Sequence, residues 1–239
     1  MSTRSLLIAF GLAVSAALPA QAAGSVYDLP SDIAVSNVTL HAGAVLDGFH
    51  VRSDDQMYAT LPDIFSEASI RARDLGDGYG MGADVHTFPG GGIYAEPFGS
   101  SSLKPIEVSA DGSWAVTLTN NGTQSRSIFG SITLGNRYSS GCCVSANVAF
   151  SLGSDLYNLT NPAFDQPYRA VVLAPGESVR MSVALNVVDS AAIGRGGDAE
   201  YNVSVSVFSE VSAVPEPSKV LLFGLGLAAV GGLARRRSS

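Results

Sequence analysis

Three histidines are the side chains in this chain with the most obvious catalytic potential. They are His41, His50 and His86, and all lie in the first half of the sequence. A histidine beside a serine and an aspartate would form a hydrolytic triad, but no Gly-x-Ser-x-Gly nucleophile motif accompanies any of them. The sequence therefore favours surface or loop histidines over a catalytic base.

Carboxylate pairs are the second source of possible chemistry, because glycoside hydrolysis needs two of them across a sugar. Asp54, Asp55, Asp63 and Glu67 offer such pairs. Pairs of this kind arise by chance in any chain rich in acidic residues. We therefore expect no catalysis, and keep a secreted hydrolase as the alternative.

An aspartate- and glycine-rich stretch runs from Asp74 through Asp77 to Asp84. Aspartates on such a backbone can surround Ca²⁺, which binds six to eight oxygens. The spacing departs from the EF-hand pattern, because the second acid falls at the fourth position and no glutamate closes the loop. The stretch is either a weak calcium site or a flexible surface loop, and we expect no other metal or cofactor.

The only two cysteines, Cys142 and Cys143, are adjacent. Their Cα atoms are held about 3.8 Å apart by a trans peptide, below the usual range for a disulfide. Three outcomes are open: a vicinal disulfide in a turn, free thiols buried in a strand, or crosslinks between molecules. No histidine or second cysteine pair lies at the spacing of a metal site.

The sequence predicts that β-strands are the elements that position these residues. Apolar and polar residues alternate in several of them, as in Val179 to Val188, which is typical of antiparallel strands that cover a core on one side. A helix is expected at most over residues 63–74. The predicted strands are residues 35–40, 107–119, 128–134, 144–152, 170–173, 179–188 and 201–211.

Turn chemistry lies between these strands. Asn120-Asn121-Gly122 follows a strand that carries Trp114, and Ala174-Pro175-Gly176 precedes the strand at Val179. Because of these two turn sequences and the strands beside them, residues 106–211 resemble the immunoglobulin-like modules of bacterial surfaces. We predict an all-β fold, an antiparallel β-sandwich that is immunoglobulin-like or jelly-roll-like, built as one sandwich or two.

Both ends of the chain read as targeting segments. Arg4, an apolar run over residues 6–18 and Ala20-Gln21-Ala22 form the pattern that signal peptidase cleaves, so residues 1–22 are a predicted signal peptide. At the other end, Pro215, Glu216 and Pro217 precede an uncharged run over residues 220–234, which is short for a transmembrane helix. Three arginines follow it, Arg235, Arg236 and Arg237, and such a cluster stays in the cytoplasm.

The order Pro-Glu-Pro, glycine-rich apolar helix and terminal arginine cluster resembles the PEP-CTERM sorting domain. The resemblance covers residues 214–237, and it implies processing by exosortase, a membrane-embedded transpeptidase-like enzyme of Gram-negative bacteria that make exopolysaccharide. It also implies transient anchoring in the inner membrane, followed by release to the cell surface or extracellular matrix. The predicted organisation is thus residues 1–22 as signal peptide, 23–213 as exported domain and 214–239 as sorting tail.

The net charge of the exported domain limits the classes of molecule that it is expected to bind. Residues 23–213 hold 9 basic and 20 acidic residues, a net charge of −11. Residues 23–213 contain no basic cluster, which argues against nucleic-acid binding by the exported domain. We expect a non-catalytic structural or adhesion component associated with exopolysaccharide. A matrix hydrolase and a calcium- or carbohydrate-binding module are the alternatives.

Overall fold

The computed structural model describes residues 24–48, 50–140, 144–160, 168–193 and 195–211. The predicted signal peptide, the pair Cys142–Cys143 and the sorting tail lie outside the described residues, so those predictions stay predictions. Within the described ranges, no helix is long and apolar enough to cross a membrane.

In the ranges that the structure describes, twelve β-strands follow one 3-10 turn at Val26–Asp28. Every strand pairing is antiparallel. The strands are β1 (Ile33–Leu46), β2 (His50–Thr60), β3 (Ala68–Gly76), β4 (Tyr79–Thr87), β5 (Gly92–Ser101), β6 (Ile106–Asn120), β7 (Arg126–Ser140), β8 (Val144–Leu152), β9 (Asp155–Thr160), β10 (Tyr168–Leu173), β11 (Ser178–Ala191) and β12 (Arg195–Val211).

The strands form two six-stranded sheets. Sheet A has the order β2-β1-β6-β11-β8-β9, and sheet B has the order β10-β7-β12-β5-β4-β3. Each sheet takes strands from both halves of the chain, so the described residues form one sandwich and not two in succession. The all-β fold predicted from the sequence is confirmed.

The core lies between the two sheets and is built from the inward residues of the alternating strands, as period-2 patterning requires. Trp114 is fully buried and its indole Nε1 donates to the carbonyl oxygen of Pro89 at 2.7 Å. The largest other buried side chains are Phe150, Leu40, Leu46, Ile93, Leu118, Ile128, Ile132, Met181 and Leu185.

Two local expectations from the sequence are wrong. Residues 63–74 form a turn followed by β3, and not a helix. The aspartate- and glycine-rich stretch is a β3–β4 hairpin rather than a flexible loop, and Gly78 takes the positive φ of 83° that its turn requires. Gly82 lies under the ring of Phe98, where an added Cβ would come within 2.5 Å of the ring, so glycine here serves sheet packing.

Candidate functional site: a groove across sheet A

Two neighbouring rows of side chains cross the outer face of sheet A, from β1 to β9. They are aligned because the four strand pairs keep one continuous register. The first row runs His41, Ser113, Ala184, Ala149, Asn158, and the second runs Gly43, Asp111, Asn186, Asn147, Thr160. Each row spans four strand spacings, or about 19 Å.

Small side chains in the middle of the first row leave a groove. Ser113, Ala184 and Ala149 form its floor, while His41 and Asn158 stand at its two ends. The groove has a volume of about 370 Å³. That volume lies at the lower end of the range of about 300–1,000 Å³ typical of small-molecule sites.

His41 forms the end of the groove on β1 and is held between two carboxylates. Its Nδ1 lies 2.7 Å from Asp55 Oδ1 on β2, and its Nε2 lies 2.8 Å from Asp111 Oδ2 on β6. Burial alone lowers the pKa of His41, but the hydrogen bonds and charges of Asp55 and Asp111 outweigh it and raise the pKa above 6.5. Each ring nitrogen thus faces a carboxylate oxygen, and this arrangement favours the protonated ring, in which both nitrogens are donors.

Gly43 makes room for the bond between His41 and Asp111. A Cβ added at Gly43 would lie 2.8 Å from both His41 Nε2 and Asp111 Oδ2. Backbone position 43 has a φ outside the left-handed region, so glycine is required here for space rather than for conformation. The sequence therefore builds this end of the groove with a histidine, two aspartates and one glycine.

Three asparagines carry the polar groups of the rest of the groove. Asn186 is oriented by a hydrogen bond from its Nδ2 to Ser109 Oγ at 3.0 Å. Asn147 and Asn158 are exposed, and their amide groups make no hydrogen bond within the described part of the chain. Each amide offers donors and an acceptor, so the groove can bind groups that both give and accept hydrogen bonds.

His86 belongs to a separate charged network on the outer face of sheet B. Its Nδ1 lies 3.3 Å from Glu67 Oε2 and its Nε2 lies 3.2 Å from Asp84 Oδ1. Asp84 also accepts two hydrogen bonds from Arg71, at 2.9 and 2.7 Å. This network ties β3 to β4, and the carboxylates there are used in structural pairs.

The three aspartates considered for calcium are not brought together. Asp74 and Asp84 lie on strands β3 and β4, opposite Met81 and Arg71 in register, and Asp77 lies in the turn between the strands. The carboxylate of Asp84 already forms an ion pair with the guanidinium of Arg71. In the described ranges, no three His, Cys, Asp or Glu residues are arranged so that they could hold a metal ion.

The other residues considered from the sequence have local structural roles or lie outside the description. Asp54 accepts from the backbone N–H of Ser69 at 2.9 Å, which joins β2 to β3. Asp63 accepts from the N–H of Phe65 in the turn before β3. His50 is the first residue of β2, but its side chain is outside the described part of the structure.

The groove itself was missed by reasoning from the sequence. His41 and Asp55 were considered, but separately, and Asp111, Asn147, Asn158 and Asn186 were not. The available signal was a run of small or polar residues at outward positions of β6, β8 and β11, which the register then aligns.

Comparison with known proteins supplies one finding for the end of the chain. Residues 213–237 match the family model of the PEP-CTERM protein-sorting motif. The chain carries a PEP-CTERM sorting motif. The motif marks an exported protein that is anchored transiently in the membrane and processed by exosortase. A search of curated proteins found no match to the chain.

Proposed function

We propose that this exported protein is a non-catalytic component of the cell surface or extracellular matrix that associates with exopolysaccharide through the groove on sheet A. The groove carries the proposal, because it places three asparagine side chains on three neighbouring strands, β11, β8 and β9, over about 10 Å of sheet. Sugar hydroxyls, like amides, both donate and accept hydrogen bonds. A row of amides therefore suits a sugar chain laid across the strands.

The charges in the groove favour neutral polysaccharide over acidic polysaccharide. Among the described residues that line it, none is a lysine or an arginine, and Asp111 contributes a carboxylate. His41, whose raised pKa favours the cationic ring, already faces two carboxylates. The net charge of −11 over residues 23–213 adds repulsion of polyanions.

The state of His41 supports binding without turnover. A general base needs a free ring nitrogen that faces the group to be deprotonated. Both nitrogens of His41 are engaged by Asp55 and Asp111, and the raised pKa favours the protonated ring. The ring is therefore suited to fixing the groove wall rather than to activating a nucleophile.

The route to the proposed location follows from the two ends of the chain. Signal peptidase would remove residues 1–22, the inner membrane would hold the tail, and exosortase would release the domain. The proposed destination is the surface or matrix of a Gram-negative bacterium, where an acidic and soluble domain can lie among polysaccharide chains.

The test is a titration of the exported domain, residues 23–213, with neutral and acidic polysaccharides, followed by calorimetry or NMR. We expect binding of a neutral chain with a dissociation constant of about 1 mM per site, because His41 has the only aromatic ring among the described residues that line the groove. Replacing Asn147 and Asn186 by alanine should weaken binding about thirtyfold, at about 1 kcal/mol for each of two lost hydrogen bonds.

Asn202→Ala is the matched control, since Asn202 lies on β12 of the other sheet. It should leave the affinity unchanged. Equal affinity in the control and in the Asn147/Asn186 double variant would show that the groove is not the binding surface.

A secreted hydrolase is the second candidate, and one observation favours it. His41 lines the groove with Asp111, and Ser113 is its register partner on β6. Turnover of the host polysaccharide that is lost in His41→Gln would establish the hydrolase in place of the binding protein. Binding that survives in His41→Gln without any turnover in the parent protein would support the binding proposal.

A further inference from the structure

Strand β12 ends immediately before the sorting motif begins. Val211 is the last residue of the strand and the motif matches from residue 213, so one residue separates them. An extended chain spans at most about 3.6 Å per residue, which places Pro215 within about 14 Å of Val211. The membrane-embedded processing enzyme must therefore bind the motif close against a folded sheet.

The end of β12 is paired on one side only. Strand β5 accompanies β12 as far as Ser204, and the backbone N–H of Val207 then donates to the carbonyl oxygen of Gly24 at 2.8 Å. Beyond that point, within the described part of the chain, residues 208–211 pair with β7 alone. This terminal segment, residues 208–211, can therefore separate from the sheet by breaking a single strand pairing.

An aromatic pair marks the start of the terminal segment. Phe208 stacks on its register partner Phe129, with ring centroids 4.7 Å apart and planes 16° from parallel. Past this pair the strand is held less firmly. The hydroxyl of Ser209 is buried without a hydrogen-bond partner among the described residues, and the guanidinium of Arg126, opposite Val211, is bonded to Asp32 instead.

We propose that the Phe129–Phe208 pair positions the sorting motif for processing: residues 209–211 separate from β7 when the enzyme binds, and the stacked rings stop the separation there. Three freed residues lengthen the reach of the motif by about 10 Å. Separation also exposes the buried Ser209 hydroxyl to water. Water can then supply the hydrogen bond that this hydroxyl lacks in the sheet. The sandwich body and the groove on sheet A stay folded throughout.

The test is a disulfide placed on either side of the aromatic pair. Ser127 faces Glu210 beyond the pair, and Ser131 faces Ser206 on the body side of it. Residues directly opposite in antiparallel strands have Cα atoms about 4.5–5.5 Å apart, which suits a disulfide. Each double cysteine variant is made in the full chain with Cys142 and Cys143 replaced by serine, so that the new pair cannot exchange.

Processing is followed in cells that contain exosortase, by the mass of the surface protein, and removal of residues 1–22 reports export separately. We expect Ser127→Cys/Glu210→Cys to slow tail removal at least tenfold and Ser131→Cys/Ser206→Cys to leave it unchanged. Inserting six Gly/Ser residues after Val211 should restore processing of the slowed variant. Phe208→Ala, which removes the stop, should process at least as fast as the parent chain.

Equal processing rates in the two stapled variants, whether fast or slow, would overturn the proposal. So would a slowed variant that the inserted linker fails to rescue. Neither outcome bears on polysaccharide binding, which is measured on the isolated domain.

Discussion

His41 is a charged group whose state is set by its two neighbouring strands. Register places Asp55 beside it on β2, and Asp111 lies one row further along β6. Gly43 leaves the space through which Asp111 reaches the ring. His41, Asp55 and Asp111 thus join three neighbouring strands through two separate contacts of the imidazole ring.

The titration of His41 is therefore a direct probe of the groove. Its raised pKa means that the folded state binds the proton more tightly than the unfolded chain, where the value is 6.5. The resulting stabilisation is complete below pH 6.5 and is lost as the pH rises through the raised pKa. An NMR titration of the imidazole should give a midpoint above 6.5, and Gly43→Ala should lower it by displacing Asp111.

Gly90→Ala is the control for that substitution, because a Cβ at Gly90 would meet only Tyr27, at an ordinary 3.6 Å. It should leave the midpoint where it is in the parent protein. A parent midpoint at or below 6.5, or equal midpoints in the two variants, would show that the carboxylates do not hold the ring.

At the scale of elements, alternation in the sequence predicts some strands well and misses others. The strands that cover the core on one face, such as Ser178–Ala191, are visible because Val and Leu recur at every second residue. Strand His50–Thr60 is not, since its inward positions include Asp54, which caps the backbone of β3 instead of filling the core. Strands β3 to β5 are difficult to recognise in the sequence, because they contain glycines against which aromatic rings pack.

The groove could not be predicted for a different reason. Its residues come from β1, β6, β8, β9 and β11, and only the register between those strands makes them neighbours. A shift by one residue in any one pairing would turn Asn186 or Ser113 into the core. Register depends on the packing of the whole sandwich, which no local pattern contains.

Trp114 is the element-scale test of that packing. Trp114→Ala should cost about 3–5 kcal/mol of unfolding free energy, because it leaves a cavity in the centre of the core. Trp114→Phe keeps most of the apolar volume and should cost less. Urea unfolding of residues 23–213 measures both, and Val172→Ala is the control, since Val172 is 57 % exposed. Equal stability in the alanine variants at 114 and 172 would place Trp114 outside the core.

At the scale of the whole molecule, the groove lies near the middle of sheet A, away from the strand end at which β12 reaches Val211. Arg126 pairs with both Val211 and Leu173, and the carbonyl oxygen of Leu173 accepts from Asn120, so β6 and β12 finish at the same end. Ser113 and Asp111 lie seven and nine residues before Asn120, or about 23–30 Å along the strand. The groove is therefore separated by that distance from the strand end that precedes the sorting motif in the sequence.

This arrangement predicts that anchoring and binding are separable. Replacing Pro215, Glu216 and Pro217 by alanine should abolish tail removal, because the residues that give the sorting motif its Pro-Glu-Pro sequence are gone. The protein should then stay in the inner membrane and retain Arg235–Arg237, while binding neutral polysaccharide as the parent does after extraction in detergent. Fractionation followed by intact-mass measurement checks this. The parent protein serves as control, and its mass should correspond to a chain that ends near residue 218.

If correctly exported parent protein keeps its full tail, the motif does not direct cleavage in this chain. Loss of polysaccharide binding in the extracted variant would instead mean that the tail end and the groove are coupled through the sheets.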